Sequence, residues 1–74
     1  MKIEGFIVHK DIEGGFWGIQ ANDGRRFVPV NPLAEEFRKD GLPVIVELSP
    51  VQVLSALQWG EHVQIQSIDK LQRV

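Results

Sequence analysis

The chain has 74 residues, 43 % hydrophobic and 24 % charged, with 8 basic against 10 acidic side chains for a formal charge of −2, and no cysteine. Such a chain is one domain with a thin core, because at this size only about 60 % of the surface exposed on unfolding is buried, and its composition lies outside the disordered range. The composition excludes a disulfide scaffold and a thiolate metal centre. It also lacks the run of about 20 apolar residues that a membrane-spanning helix needs.

Charge narrows the partners further. The basic residues are scattered as Lys2, Lys10, Arg25, Arg26, Arg38, Lys39, Lys70 and Arg73, without the stripe by which duplex-DNA and membrane-surface proteins neutralise phosphate. The opening MKIEGFIVHK is interrupted by Glu4 and His9, too short an apolar run for a signal peptide, so a cytoplasmic protein is expected; a chain from which a signal had been removed would read the same way.

In chain order, Lys2 to Lys10 is rich in β-branched and aromatic residues and stops at DIEGG, which predicts a first strand and its turn. Phe16 to Asn22 and Arg25 to Val30 are two further strands around Asp23-Gly24, a strong two-residue hairpin signal. Next, Asn31 suits a cap, Pro32 the first helical position, Glu35 and Glu36 the positive end of the dipole, Arg38 and Lys39 its negative end, and Gly41 the left-handed close. These signals predict a helix over Pro32 to Asp40 whose Leu33 and Phe37 share the face laid on the barrel. After Pro43, the alternation of Val44, Val46 and Leu48 predicts a strand with one buried face.

Local rules leave SPVQVLSALQWGEH open. Ser49 and Gln52 have the form of a capping box, whereas Val51, Val53 and Gly60 suit a strand ending in a turn. The last segment, HVQIQSIDKL, alternates until Ser67 and then shifts phase, which a β-bulge would explain.

The segments EGGFWGIQANDGRRFVPVN and VLSALQWGEHVQIQSI, with EEFRKDG between them, resemble a poorly characterised family of small prokaryotic OB-like β-barrel proteins and lipoprotein domains. The resemblance covers most of the chain and rests on its glycines and Trp59-Gly60; Ala56, Leu57 and Gln58 depart from it, standing where larger β-formers are expected. It implies architecture and almost no chemistry, because the family has no agreed activity. Together with the element order, it predicts a mainly β fold, a single small OB-like β-barrel of five to six strands with one short helix between strands 3 and 4. The sixth strand would fall within Val51 to Gln58.

A barrel of this kind hosts many partners, so the site must be argued separately. With Asp23 and Gly24 as the loop, Trp17, Ile19, Val28 and Val30 share one face and Phe16, Gly18, Gln20, Arg25, Phe27 and Pro29 the other. Trp17 is then core, Gly18 lets a neighbour approach the strand, and Phe16 with Phe27 forms an outer platform. A slip of one residue would bring Phe27 in and send Val28 and Val30 out. The candidate ligand-binding set is Phe16, Arg25, Phe27 and Trp59, apolar rings beside a cation.

Such a set suits a protein partner or self-association through barrel edges. The second option is weak single-strand nucleic-acid binding by stacking, which the net charge disfavours. The plainer reading makes these rings filler for a thin barrel, and it prevails unless Phe27 is exposed.

Catalysis is not expected. His9, Asp11 and Glu13 would share a face of an extended strand and suit a hard or borderline metal, but Asp11 to Gly15 reads as a turn. Glu61 and His62 point to opposite faces of a strand, Ser49, Ser55 and Ser67 lack a paired base, and there is no phosphate loop. No cofactor is implied. The expectation is a non-catalytic binding module.

Overall fold

The computed structural model describes residues 1–12, 14–53 and 59–71. They form five strands, β1 (Lys2–Lys10), β2 (Phe16–Ala21), β3 (Arg26–Pro29), β4 (Pro43–Pro50) and β5 (Glu61–Lys70), with one 3-10 turn, Glu35–Phe37, between β3 and β4. The strands close into a barrel in the order β1-β2-β3-β5-β4. Every described pairing is antiparallel except that of β3 with β5. Closure leaves no sheet edge running the length of the barrel.

Period-two alternation places the core as the sequence predicts. Ile3 and Ile7 on β1, Ile19 and Ala21 on β2, and Val44, Val46 and Leu48 on β4 are buried in one cluster with Val63. Gly5 sits among them, paired with Ala21 on one side and Val44 on the other. A Cβ there would run into the Gln20 carbonyl oxygen and lie 2.9 Å from Ala21 Cα. The missing side chain is what lets β1 curl between two partners. The expected bulge also forms: Glu47 pairs with Ser67 but Leu48 pairs with Ile65, so Gln66 is the extra residue and the inward phase changes there.

Two expectations are corrected. The hairpin pairs Ile19 with Phe27 and Gln20 with Arg26, one residue away from the two-residue-loop register. Gly24 N–H donates to the Ala21 carbonyl (3.0 Å), and Ala21 N–H donates to the Arg25 carbonyl (2.8 Å). The loop therefore spans Asn22, Asp23 and Gly24, with Gly24 taking the positive φ of 94°, the three-residue hairpin that competes with the type I′ turn. Asp23 reinforces it by accepting from Arg25 N–H (3.1 Å) and Arg25 Nε (2.8 Å).

The helix expected over Pro32 to Asp40 contracts to the single turn Glu35–Phe37, capped by Ala34, whose side chain makes no cap hydrogen bond. Tertiary bonds take over its signals. Asn31, read as a cap, instead gives its side-chain amide to Ile65: Nδ2 donates to the Ile65 carbonyl and Oδ1 accepts from Ile65 N–H, both at 3.0 Å. Downstream, Gly41 N–H donates to the Ile7 carbonyl (2.6 Å) and Ile7 N–H to the Leu42 carbonyl (2.9 Å), which fixes the exit of the segment on β1. Leu33 and Phe37 are nonetheless both buried in the core cluster, as their spacing requires. Val51, Gln52 and Val53 are not in a strand, and 54–58, the rest of the expected sixth strand, lie outside the described residues.

Candidate functional site

The register of β1 and β2 decides which side chains reach the outer surface. Ile7 pairs with Ile19, both fully buried, so the alternate pairs Val8↔Gly18 and Lys10↔Phe16 face outward. On β3 the inward residue is Phe27, opposite Ile19, and Arg26 faces outward. This outer face of β1-β2-β3 receives Trp59 from the segment before β5.

Trp59 lies on Gly18. A Cβ at position 18 would stand 2.6 Å from Trp59 Cζ3 and 3.1 Å from Cη2, so only glycine admits the indole at this depth. The following residue also needs to be small, since a Cβ on Gly60 would approach the Arg26 carbonyl oxygen to 2.7 Å. Phe16 meets the indole edge-on, with ring centroids 5.5 Å apart at 64°. Arg26 Cζ is 5.7 Å and Lys10 Nζ 5.9 Å from the centroid of the Trp59 ring, within the range of cation–π attraction. Among the described residues, neither cation forms an ion pair.

Of the four residues predicted from sequence, the structure brings Phe16 and Trp59 together and separates the others. Phe27 is a correction: it is 1 % exposed, one of the largest fully buried side chains, because the three-residue loop shifts β3 by one place and turns that ring inward. The filler reading therefore holds for Phe27, and a surface role rests on the half-buried Phe16 and Trp59 alone. Val30 correspondingly becomes 45 % exposed, while Val28 stays buried. Arg25 stands by the hairpin loop, its guanidinium 5.6 Å from the Phe27 centroid and bonded to Asp23, apart from the indole. Asp23 carries a perturbed carboxyl: the hydrogen bond from Arg25 N–H, helped by the Arg25 side chain, holds its pKa below the usual aspartate value.

Sequence reasoning missed Lys10 and Arg26. The signal lay in the turn, since only the loop length tells whether Arg25 or Arg26 shares the outer face with Gly18. Trp17, expected as core, is half-buried and packs on the core cluster, at the end of the inward row where its ring meets that of His9 at a tilt of 54° with centroids 4.7 Å apart.

The chain matches no family model, and no curated protein or solved structure matches it. The site therefore rests on its own geometry. Glu13 lies outside the described residues, and among those described no cluster of three His, Cys, Asp or Glu side chains could hold a metal. Among the same residues, no helix is long and apolar enough to cross a membrane.

Proposed function

We propose that the protein is a non-catalytic binding module that holds an acidic segment of a protein partner on the outer face of β1-β2-β3, with Trp59 as anchor. The observation that carries this reading is the indole seated on Gly18 with Lys10 and Arg26 at its ring. Tryptophan and arginine at the centre of a patch are the side chains that dominate protein contacts, and two cations without ion-pair partners among the described residues favour carboxylates. Phe16 widens the apolar floor.

Single-strand nucleic-acid binding is the second reading, favoured by the same indole and cations. It has the weaker support, because Phe27, the second ring of the expected stacking platform, faces inward and the net charge is −2.

The test follows the Trp59 indole N–H by NMR. A short glutamate-rich peptide containing one phenylalanine is expected to shift that resonance, and Lys10→Glu with Arg26→Glu to abolish the shift. An oligothymidylate that moves the resonance at low salt while the peptide leaves it unchanged would overturn the reading, since phosphate contacts carry the steep salt dependence.

A further inference from the structure

A second feature lies where β2 and β3 part. Ala21 N–H donates to the Arg25 carbonyl, which sets the phase of the ladder, and in an antiparallel ladder hydrogen-bonded positions recur at every second residue. The register of the hairpin then makes Ile19↔Phe27 the next one and would make Trp17 and Pro29 the one after. Pro29 has no N–H to give, and the ladder stops: no pairing extends past Ile19 toward the start of β2. Beyond Phe27, β3 pairs only with β5, through Val28↔His62 and Pro29↔Val63.

The parted strands leave a cavity of about 170 Å³. Phe16, Trp17, Val28, Pro29 and Leu33 give it apolar walls, and Asn31 and Arg38 are its polar lining. The guanidinium is held in place, since Arg38 Nε donates to the Leu33 carbonyl at 2.9 Å. That bond leaves both terminal nitrogens to donate, and among the described residues Arg38 has no ion-pair partner. An enclosed apolar cavity of about 150 Å³ takes one benzene ring. This cleft has the volume for one ring but is half open, so the ring needs the second contact of a carboxylate, to which a guanidinium presents its paired N–H groups in a fork.

We propose that this cleft is a binding site for a single apolar group of one-ring size ending in a carboxylate, the ring between Phe16, Trp17 and Val28 and the carboxylate on Arg38. The chemistry is common to a small aromatic acid and to the C-terminal residue of a peptide. This site does not depend on the Trp59 face, with which it shares only Phe16, and the two indoles report on them separately: Trp17 lines the cleft and Trp59 does not.

The test titrates the labelled protein with phenylacetate, with N-acetyl-glycyl-phenylalanine and with phenylacetamide, following the Trp17 and Trp59 indole N–H and the Arg38 Nε–H. At least one of the two acids is expected to shift the Trp17 and Arg38 signals and to leave Trp59 in place; the one that binds more tightly names the source. Phenylacetamide, with the ring but no charge, is expected to bind at least tenfold more weakly. Arg38→Gln should weaken the acid by a similar factor while its spectrum stays folded. A second measurement needs no variant: binding to the unaltered protein should fade as pH falls through the ligand's own carboxyl titration, which neutralises it. The proposal is overturned if neither acid moves Trp17, if the amide binds as well as the acid, or if affinity is indifferent to the ligand's charge.

Discussion

Asn31 offers the sharpest test of how the barrel is closed. Its side-chain amide makes two bonds to the backbone of Ile65, continuing the β3/β5 contact after Val30 N–H has bonded the Val63 carbonyl at 2.8 Å. Each such bond contributes about 1 kcal/mol net, so Asn31→Ala should cost about 2 kcal/mol. The whole domain, at roughly 0.05–0.15 kcal/mol per residue, is stable by about 4–11 kcal/mol, so the loss is readable by urea denaturation and should lower Tm by about 8–16 °C. Asn31→Asp sharpens the argument. At neutral pH the introduced carboxylate can accept from Ile65 N–H but sets an oxygen against the Ile65 carbonyl, so the variant should be at least as unstable as Asn31→Ala. Protonation supplies an O–H donor in place of Nδ2, which raises the folded-state pKa of that carboxyl. The deficit relative to the unaltered protein should therefore shrink as pH falls and grow as pH rises through that pKa. An Asn31→Ala variant within 0.5 kcal/mol of the parent, or an Asn31→Asp deficit that does not change with pH, would refute the reasoning.

Three further outcomes are expected. Phe27→Ala should cost about 3–5 kcal/mol in thermal or urea melts, the cost of emptying a buried aromatic site, whereas Phe16→Ala should cost much less; the reverse order would mean the observed hairpin register is wrong. Gly18→Val should push the indole of Trp59 off the sheet and red-shift the tryptophan emission of the folded protein, and an unchanged emission spectrum would show that the indole is seated elsewhere. The Asp23 carboxyl should titrate below the ordinary aspartate range because Arg25 bonds its charged form; the stability it contributes is present above the unfolded-state pKa and lost as pH falls through the lower folded-state value. A ¹³C titration of that carboxyl checks the direction, and Asp23→Asn should remove this part of the acid-side decline.

The strands were legible because burial on one face writes period two into the sequence: Val44, Val46 and Leu48 read as a buried row and are one, and the phase shift at Ser67 located the bulge. The helix was not legible, because capping and dipole signals are worth little beside the bonds that tie Asn31 to β5 and Gly41 to β1. The site was half legible. Phe16 and Trp59 could be named from composition and position, but the cations beside them depend on a turn that Asp23-Gly24 permits in two lengths. Gly18 was the better clue, since a glycine within a strand implies a close approach and Trp59 supplies it.

The parallel seam between β3 and β5 also bears on the order in which the chain folds. β1 and β2 are joined by a short turn, as are β2 and β3, so those pairs can form early. Phe27 meets Glu61, 34 positions further along the chain (61 minus 27), only after the intervening segment has been brought round. Loop-closure entropy makes such contacts late and slow. The β1/β4 seam, where Lys2 meets Glu47, closes over a still longer loop, so closing the ring through these two seams follows the hairpins in folding and precedes their loss in unfolding. Amide exchange should register this at Val30, Ile65 and Ile7, whose N–H groups bond across these long-range seams and should exchange through a partial opening while Ala21, whose N–H bonds the Arg25 carbonyl within the hairpin, stays protected.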